Sequence, residues 1–306
     1  MIKIQHIEML LAIEQAGSIR AASKRLGKTQ PAVTKALRQA EAELGAAIFK
    51  RAPTGVAVTE DGQPILHRAR LVHSELRKMQ EEVDQRRGLG TGRLTVIVSP
   101  LAASRLISRT IRLFRRRYPK VHIQITGGHE PMAFGPVRDG LVDLVIGPEP
   151  RGTDSTGLST RFLVETPISV ITGKSSRWLG ETRLAALAEG DWTMIGTRVR
   201  LPYLQRHFTR HGIVPPEPMV TSDSLFSVLS LIEDGDFLCT FPQRLLAQVM
   251  AKWNIVALDV DPPLRAARIS VTTSSERLPT PALQYFIDCV EQVSRNTFDE
   301  GDAREL

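Results

Sequence analysis

The stretch from Gly17 to Arg38, GSIRAASKRLGKTQPAVTKALR, constrains this chain most: it holds six basic side chains, no acidic one, and the punctuation of two short helices. Ser18 is placed to cap a first helix whose inward face takes Ile19, Ala22 and Leu26 at i, i+3 and i+7. Gly27 and Lys28 break that helix. Thr29 then offers an N-cap oxygen, Gln30 opens a second helix, and Pro31 falls in the first turn, where a missing N–H costs little. Val33, Leu37, Ala40 and Leu44 give the second helix an inward face, which leaves Gln30, Thr34, Lys35 and Arg38 pointing outward from its N-terminal half. Helix, three-residue turn, helix, with a positive outer face, suits an element that enters the DNA major groove. The outward residues near the start of its second helix are the ones that reach base edges.

Where the charge lies matters more than its total. The 306 residues carry a formal net charge of +7. Residues 1–90 hold 15 Lys and Arg against 10 Asp and Glu, whereas residues 91–306 hold 25 against 23. The positive field therefore belongs to the N-terminal part, as in a polyanion-binding module attached to a near-neutral body. The length predicts two or three domains, and a hydrophobic content of 42% supplies their cores and excludes a mostly disordered chain. Cys239 and Cys289 sit in apolar stretches and read as buried free thiols; two cysteines are too few for a disulfide framework. No signal peptide precedes the first helix, and no apolar run approaches the ~20 residues that span a bilayer. The expectation is a soluble, cytoplasmic protein with no membrane partner.

Beyond the helix pair, Phe49-Lys50-Arg51 leads into APTGVAVT, a hairpin signal with Thr54-Gly55 at its turn. Thr59 is then placed to cap a long helix from about Glu60 to Arg87. Its apolar positions, Ile65, Ala69, Val72, Leu76, Met79 and Val83, alternate spacings of four and three, a heptad seam on a helix about 40 Å long. A seam of that length predicts a homodimer, with packing on the helix's own domain as the alternative. GLGTG at 88–92 is a flexible break. After it, LTVIV (94–98), VHIQIT (121–126), DLVIG (143–147), ISVIT (168–172), TMIG (193–196), PMVT (218–221), DFLCTF (236–241), NIVALD (254–259) and RISVTT (268–273) read as strands, with helical stretches between many of them. That alternation predicts an α/β fold with a largely parallel sheet. Chain crossings near 162–168 and at Pro262-Pro263 would divide it into two lobes with a ligand cleft at the hinge.

QPAVTK at 30–35, preceded by AAS at 21–23 and followed by ELGAAIFKR at 43–51 and VTEDG at 58–62, resembles the signature of LysR-type bacterial transcription regulators. FRRRYP at 114–119 and GDFLCTFP at 235–242 extend the resemblance over essentially the whole chain. It implies an all-α winged helix-turn-helix domain over 1–59, a dimerising linker helix and hinge over 60–92, and a periplasmic-binding-protein-like effector domain over 93–306. That domain would have lobe I at about 93–162 and 268–306 and lobe II at about 163–267. It also implies a homotetramer on promoter DNA with an inverted-repeat site, a small organic effector, RNA polymerase as a further candidate partner, and no cofactor. Thr34 stands where the family more often has Ser, and Lys35 where Arg is common. Lys lacks the bidentate fork for guanine, so that position need not read the same base.

The DNA-contacting set is then Thr29, Gln30, Pro31, Thr34, Lys35 and Arg38, with Arg51, Thr54 and Gly55 bringing the wing to the backbone or minor groove. A solvated face is the alternative for Lys24, Arg25 and Lys28. For an effector, strand 94–98 runs into Ser99-Pro100 with Ala102, Ala103 and Ser104 at a helix start, where free N–H groups favour an anion. Topology and the family resemblance add Gly128, His129, Gly147, Pro148, Thr197, Arg198, Ser222, Asp223 and Thr240. Arg198 would pair with a carboxylate or sulfonate, or form a surface salt bridge, and His129 would donate to a ligand oxygen or cap its loop.

Other readings fail on context. His207 and His211 are spaced i, i+4, but no carboxylate or cysteine nearby completes a metal site. GLGTG follows a charged helix end rather than a strand, which excludes a dinucleotide loop. A solute-binding protein, or an enzymatic cleft domain with an accessory nucleic-acid module, fits the effector domain. The basic N-terminus disfavours the first, and the lack of a Ser/His/acid set, metal cluster or paired carboxylates disfavours the second. A nonspecific nucleoid protein needs no ligand domain.

Overall fold

The computed structural model describes residues 1–53, 55–127, 134–150, 152–196 and 201–302. Thr54, Gly128, His129, Thr197 and Arg198 lie outside the described residues. The chain divides into two compact units, Met1–Val83 and Asp84–Leu306.

In the first unit, α1 (Ile4–Ala16) precedes α2 (Ile19–Arg25) and α3 (Gln30–Leu44). Polar groups at the ends of α2 and α3 act as their sequence requires. Ser18 Oγ accepts the Ala21 N–H at 3.2 Å and Thr29 Oγ1 that of Ala32 at 3.4 Å. Gly27, at φ 63°, makes the left-handed turn between the two helices. Leu10 and Ile13 of α1 are fully buried against Ala22, Val33, Leu37 and Ala40. Leu44 departs from the predicted inward face at 37% exposure. The last α3 residue in this core is Ala40, so the final turn of the helix extends past its edge.

The wing is β1 (Phe49–Ala52) paired antiparallel with β2 (Gly55–Val58). Three contacts fix it. Glu41 Oε1 accepts the Ile48 and Phe49 N–H groups at 2.8 and 3.3 Å, and the Val56 N–H donates to the Gly17 carbonyl at 2.9 Å. Gly55 has φ 137°, and a Cβ there would lie 2.2 Å from the Gly17 oxygen, so only glycine fits. Thr59 Oγ1 donates to the Ala47 carbonyl and accepts the Gly62 N–H at 2.9 Å, which starts the 25-residue α4 (Gly62–Arg86). Leu66 of α4 joins the unit's core at 1% exposure. Further along the helix, Val72, Met79 and Val83 are 44%, 62% and 38% exposed.

The second unit continues with β3 (Thr91–Val98), α5 (Pro100–Arg105), α6 (Ile107–Phe114), β4 (Lys120–Gly127), α7 (Phe134–Arg138), β5 (Leu144–Pro148), β6 (Leu158–Thr166), β7 (Ile168–Gly173) and α8 (Leu184–Leu187). Then come β8 (Thr193–Ile195), α9 (Leu201–Thr209), β9 (Val220–Ser222), α10 (Leu225–Asp234), β10 (Cys239–Pro242), α11 (Leu246–Met250), β11 (Ile255–Leu258), β12 (Ala267–Ser274) and α12 (Pro281–Asp302). A five-stranded sheet runs β4-β3-β5-β12-β6, parallel around β3 and antiparallel around β12. A three-stranded antiparallel sheet runs β10-β7-β11, and β8 pairs parallel with β9. The whole is a mixed α/β fold, less parallel than the strand alternation predicts. The chain leaves the larger sheet at Pro167, between β6 and β7, and returns between Leu258 and Ala267.

β6 is absent from the sequence-based strand set for a physical reason. It is an edge strand whose sequence LSTRFLVET buries only Val164 and Thr166, so no apolar run marks it. The cores are conventional: Phe114, Phe286, Val96 and Ile146 in one cluster, Trp192, Phe208 and Leu184 in another. Cys239 and Cys289 are both free and buried. Burial raises the Cys289 thiol above its ordinary range, and raises the neighbouring Tyr285 hydroxyl in the same way. Among the described residues, no helix is long and apolar enough to cross a membrane.

Candidate functional site

Two regions hold the candidate residues, one in each unit. In the first, α3 presents Gln30, Pro31, Lys35 and Arg38 as exposed side chains, with Thr34 half-buried between them. None of the Gln30, Lys35 or Arg38 side chains has a hydrogen-bond or ion-pair partner among the described residues, so their donors face solvent. Thr34 differs: its hydroxyl donates back to the Gln30 carbonyl at 2.9 Å, one turn earlier. The side-chain oxygen can still accept a bond. Thr29 spends its oxygen on the cap. On the wing, Arg51 is exposed, and Gly55 holds the turn against Gly17. Thr54, between them, lies outside the described residues. What results is a convex basic surface carried by a rigid, capped helix, with a second projection anchored to it through Glu41.

In the second unit, a pocket of about 760 Å³ lies where the two sheets meet. Its wall brings together Ser99 and Leu101 at the start of α5, Pro148 and Glu149 after β5, Thr166 and Ile168 on either side of Pro167, and Met194 and Ile195 of β8. Residues 203–211 of α9 and its following turn, Thr240 and Phe241 of β10, and residues 263–269 complete it. The site is apolar in its body and basic at its margins. Leu204 and Ile269 are buried, whereas Arg206, Arg210, Arg265 and Arg268 are exposed.

These arginines differ in availability. Arg268 donates to Glu149 Oε2 at 2.7 Å and stacks over Phe162 at 4.6 Å. Arg206 stacks over Tyr203 at 5.0 Å. Arg210 and Arg265 have no carboxylate within ion-pair distance among the described residues. Glu149 is the one carboxylate on the wall.

Of the predicted effector residues, Ser99, Pro148 and Thr240 line this pocket. Ser99 Oγ accepts the Ala102 N–H at 3.4 Å, so it caps α5. Ala102 is fully buried beneath the wall, Ala103 is exposed, and Ser104 donates to Gln248 Oε1 at 2.6 Å, tying α5 to α11. Gly147 packs a backbone close to Ser99, Ser222 accepts the Ser224 N–H at 3.2 Å, and Asp223 is exposed. None of these last six lines the pocket.

Tyr203, Arg206, Arg210, Arg265 and the apolar wall are not among the residues that sequence reasoning identifies. The only available signal was PPLRAARI at 262–269, where two prolines and two arginines follow a strand. His207 and His211 stand on the pocket wall. Among the described residues, no group of three His, Cys, Asp or Glu side chains is placed to hold a metal.

Two family models match the chain. "Bacterial regulatory helix-turn-helix protein, lysR family" covers residues 4–63, and "LysR substrate binding domain" covers residues 87–295. The HTH-type transcriptional regulator TdcA of Escherichia coli K12 is 25% identical over 295 residues, covering 95% of this chain and 93% of that protein. A probable nitrogen assimilation transcriptional activator of Synechococcus elongatus is 22% identical, covering 93% of each. In fold, the chain is similar to the crystal structure of CbnR, a LysR family transcriptional regulator, with a TM-score of 0.67, 21% identity, and coverage of 96% and 99%. The full-length CbnR complex with its target DNA matches equally, with a TM-score of 0.67 and coverage of 95% and 100%.

Proposed function

The chain belongs to the LysR family of DNA-binding transcriptional regulators, which are not enzymes and carry a separate effector-binding domain, and from that premise we propose how this member reads DNA and what it senses. Gln30, Thr34, Lys35 and Arg38 contact bases and flanking phosphates in the major groove, with Pro31 against a thymine methyl and Thr29 holding the helix start. Arg51, Thr54 and Gly55 bring the wing to the backbone. The observation that carries this reading is the set of unpartnered outward donors on a capped helix, Gln30, Lys35 and Arg38, in the half of α3 that a groove admits.

Dimerisation runs through α4, over a domain scheme of 1–59, 60–92 and 93–306 with lobes divided near 162–168 and 262–268. Its support is the exposed row Val72, Met79 and Val83, apolar side chains that one chain leaves in water. Two copies then address two half-sites of an inverted repeat in promoter DNA, and pairs of dimers give a tetramer that works with RNA polymerase in the cytoplasm.

The effector is a small organic anion with an apolar body. Four arginines against one carboxylate set the sign, and Leu101, Ile168, Met194, Leu204 and Phe241 set the character of the cavity. Binding there biases the arrangement of the two sheets, and α4 carries the change to the spacing of the half-sites. Footprinting and DNA-bending assays with and without effector test the coupling: unchanged footprint and bend angle at saturating effector would defeat it. Calorimetry against a panel of small carboxylates, sulfonates and their neutral amides tests the charge assignment; equal affinity for acid and amide would overturn it.

A further inference from the structure

The second unit carries a concentration of positive charge of its own. Residues 105–120, RLISRTIRLFRRRYPK, hold seven basic side chains and no acidic one. Outside this segment, residues 91–306 hold 18 Lys and Arg against 23 Asp and Glu. Outside the ridge, the domain therefore carries a net charge of −5 (18 − 23). Arg109, Arg112, Arg115, Arg116, Arg117 and Lys120 are all exposed.

The ridge is also unneutralised. Elsewhere in the same unit, Arg161, Arg177, Arg183 and Arg268 each reach a carboxylate within 4.0 Å. Among the described residues, none of the seven cations of the ridge does. Arg109 donates to the Thr297 hydroxyl at 3.2 Å, and Arg117 stacks over Tyr118 and Tyr285 at 5.6 and 5.0 Å. Those contacts orient two guanidinium groups without cancelling their charge. The core holds the scaffold in place: Ile107, Thr110 and Phe114 bury the opposite face of α6, and Phe114 packs against Phe286 of α12. Arg109 and Arg112 therefore follow at i and i+3 on the outward face of α6, and Arg116 comes in the turn that follows it, a row of cations suited to successive phosphates on one strand of a duplex.

We propose that this ridge on α6 and its following turn is a second, sequence-independent DNA-binding surface, which takes the phosphates of DNA flanking the operator. It goes beyond the operator contacts of α3 and rests on them only for the position of the duplex. Guanidinium forks suit phosphate oxygens, and the net negative remainder of the domain disfavours a duplex, so the concentration of charge on the ridge selects one face for it. Flanking DNA would bind without any base being read there.

The test compares full-length protein with the triple variant Arg109→Gln, Arg112→Gln, Arg116→Gln on two duplexes. One is trimmed to the operator, and the other is extended by several helical turns on both sides. The wild type should bind the extended duplex more tightly than the trimmed one. The variant should lose that advantage while matching wild type on the trimmed duplex. Its log K against log salt slope on the extended duplex should fall by about 0.9 for each phosphate contact removed. The triple Lys variant should keep the advantage, because a phosphate contact needs the charge rather than the fork. Equal affinity and salt slope for wild type and the Gln variant on the extended duplex would overturn the proposal. So would a change in sedimentation behaviour that made the ridge an interface between copies of the chain. Failure of the wild type on the trimmed duplex would instead count against the operator reading by α3.

Discussion

The proposed DNA-reading surface and the proposed effector pocket solve opposite problems. The first is convex and contiguous: Gln30, Pro31, Thr34, Lys35 and Arg38 come from nine residues of one helix. The second is concave and assembled, with walls drawn from segments as distant in sequence as Ser99 and Ile269. A helix converts spacing directly into direction, so a surface on one helix is written in the order of its residues. A pocket between sheets depends on crossover and register, which no local spacing encodes. Polar groups on the two surfaces differ accordingly. Gln30, Lys35 and Arg38 on α3 are unpartnered among the described residues, whereas Arg268 and Ser99 in the pocket wall already hold Glu149 and the Ala102 N–H.

The strongest way to break the contrast is to damage one unit alone. Leu10→Ala removes a fully buried side chain from the core shared by α1, α2 and α3, at a cost of about 3 kcal/mol. Calorimetric melting should show the transition of Met1–Val83 shifted down, DNA binding lost, and effector binding retained. A loss of effector binding at a temperature where Asp84–Leu306 is still folded would show that the units are not separable. Next in size, Gln30→Ala with Lys35→Ala should lower discrimination between operator and scrambled DNA by about a hundredfold, since each base contact is worth about 1–3 kcal/mol. Effector affinity should not change. Full retained discrimination in gel shifts would mean that α3 has been misassigned.

The pocket side predicts a smaller effect. Arg210→Gln with Arg265→Gln removes two cations without carboxylate partners, and should weaken an anionic effector by roughly tenfold or more while leaving DNA discrimination intact. Calorimetry that found the same affinity would shift the anion site elsewhere on the wall. Thr59→Val should cost about 1 kcal/mol by removing the cap of α4 together with its bond to the Ala47 carbonyl, while Thr59→Ser should restore most of it. Thermal melting of the pair checks this.

The smallest effect involves charge alone. Arg183 holds the Glu181 carboxyl at about 2, below the ordinary carboxylate range. A depressed carboxyl contributes stability above its unfolded value and loses it as pH falls through about 2. The pair lies at the surface and is screened by solvent, so its signature is a Glu181 resonance that is still ionised near pH 3 rather than a change in melting.

How much was legible follows from the same contrast. Ser18, Thr29 and Thr59 act as caps because a hydroxyl three residues ahead of a free N–H is a local instruction. Leu44 misled because periodicity says which face is inward but not where the core ends. β6 went unseen because an edge strand with Arg161 and Glu165 on its face lacks the apolar signal that marks inner strands. Arg210 and Arg265 were invisible as a pair, since only the return crossing between β11 and β12 brings residue 265 beside α9. Glycine at 55 was legible as a turn, yet the reason for it, the Gly17 carbonyl 2.2 Å from a would-be Cβ, needed the tertiary contact.

The seating of Leu66 in the N-terminal core has a mechanical consequence. With Leu66 buried beside Leu10 and Val33, and Gly62 pressed so close to the Ile48 carbonyl that a Cβ would lie 2.3 Å from it, α4 enters its domain without a joint. The shaft and the reading head are then one rigid part. Any roll of the shaft about its own axis must swing α3 through an arc, rather than being absorbed at a hinge. Under the coupling proposed above, torque, and not only separation, would therefore reach the DNA through this helix.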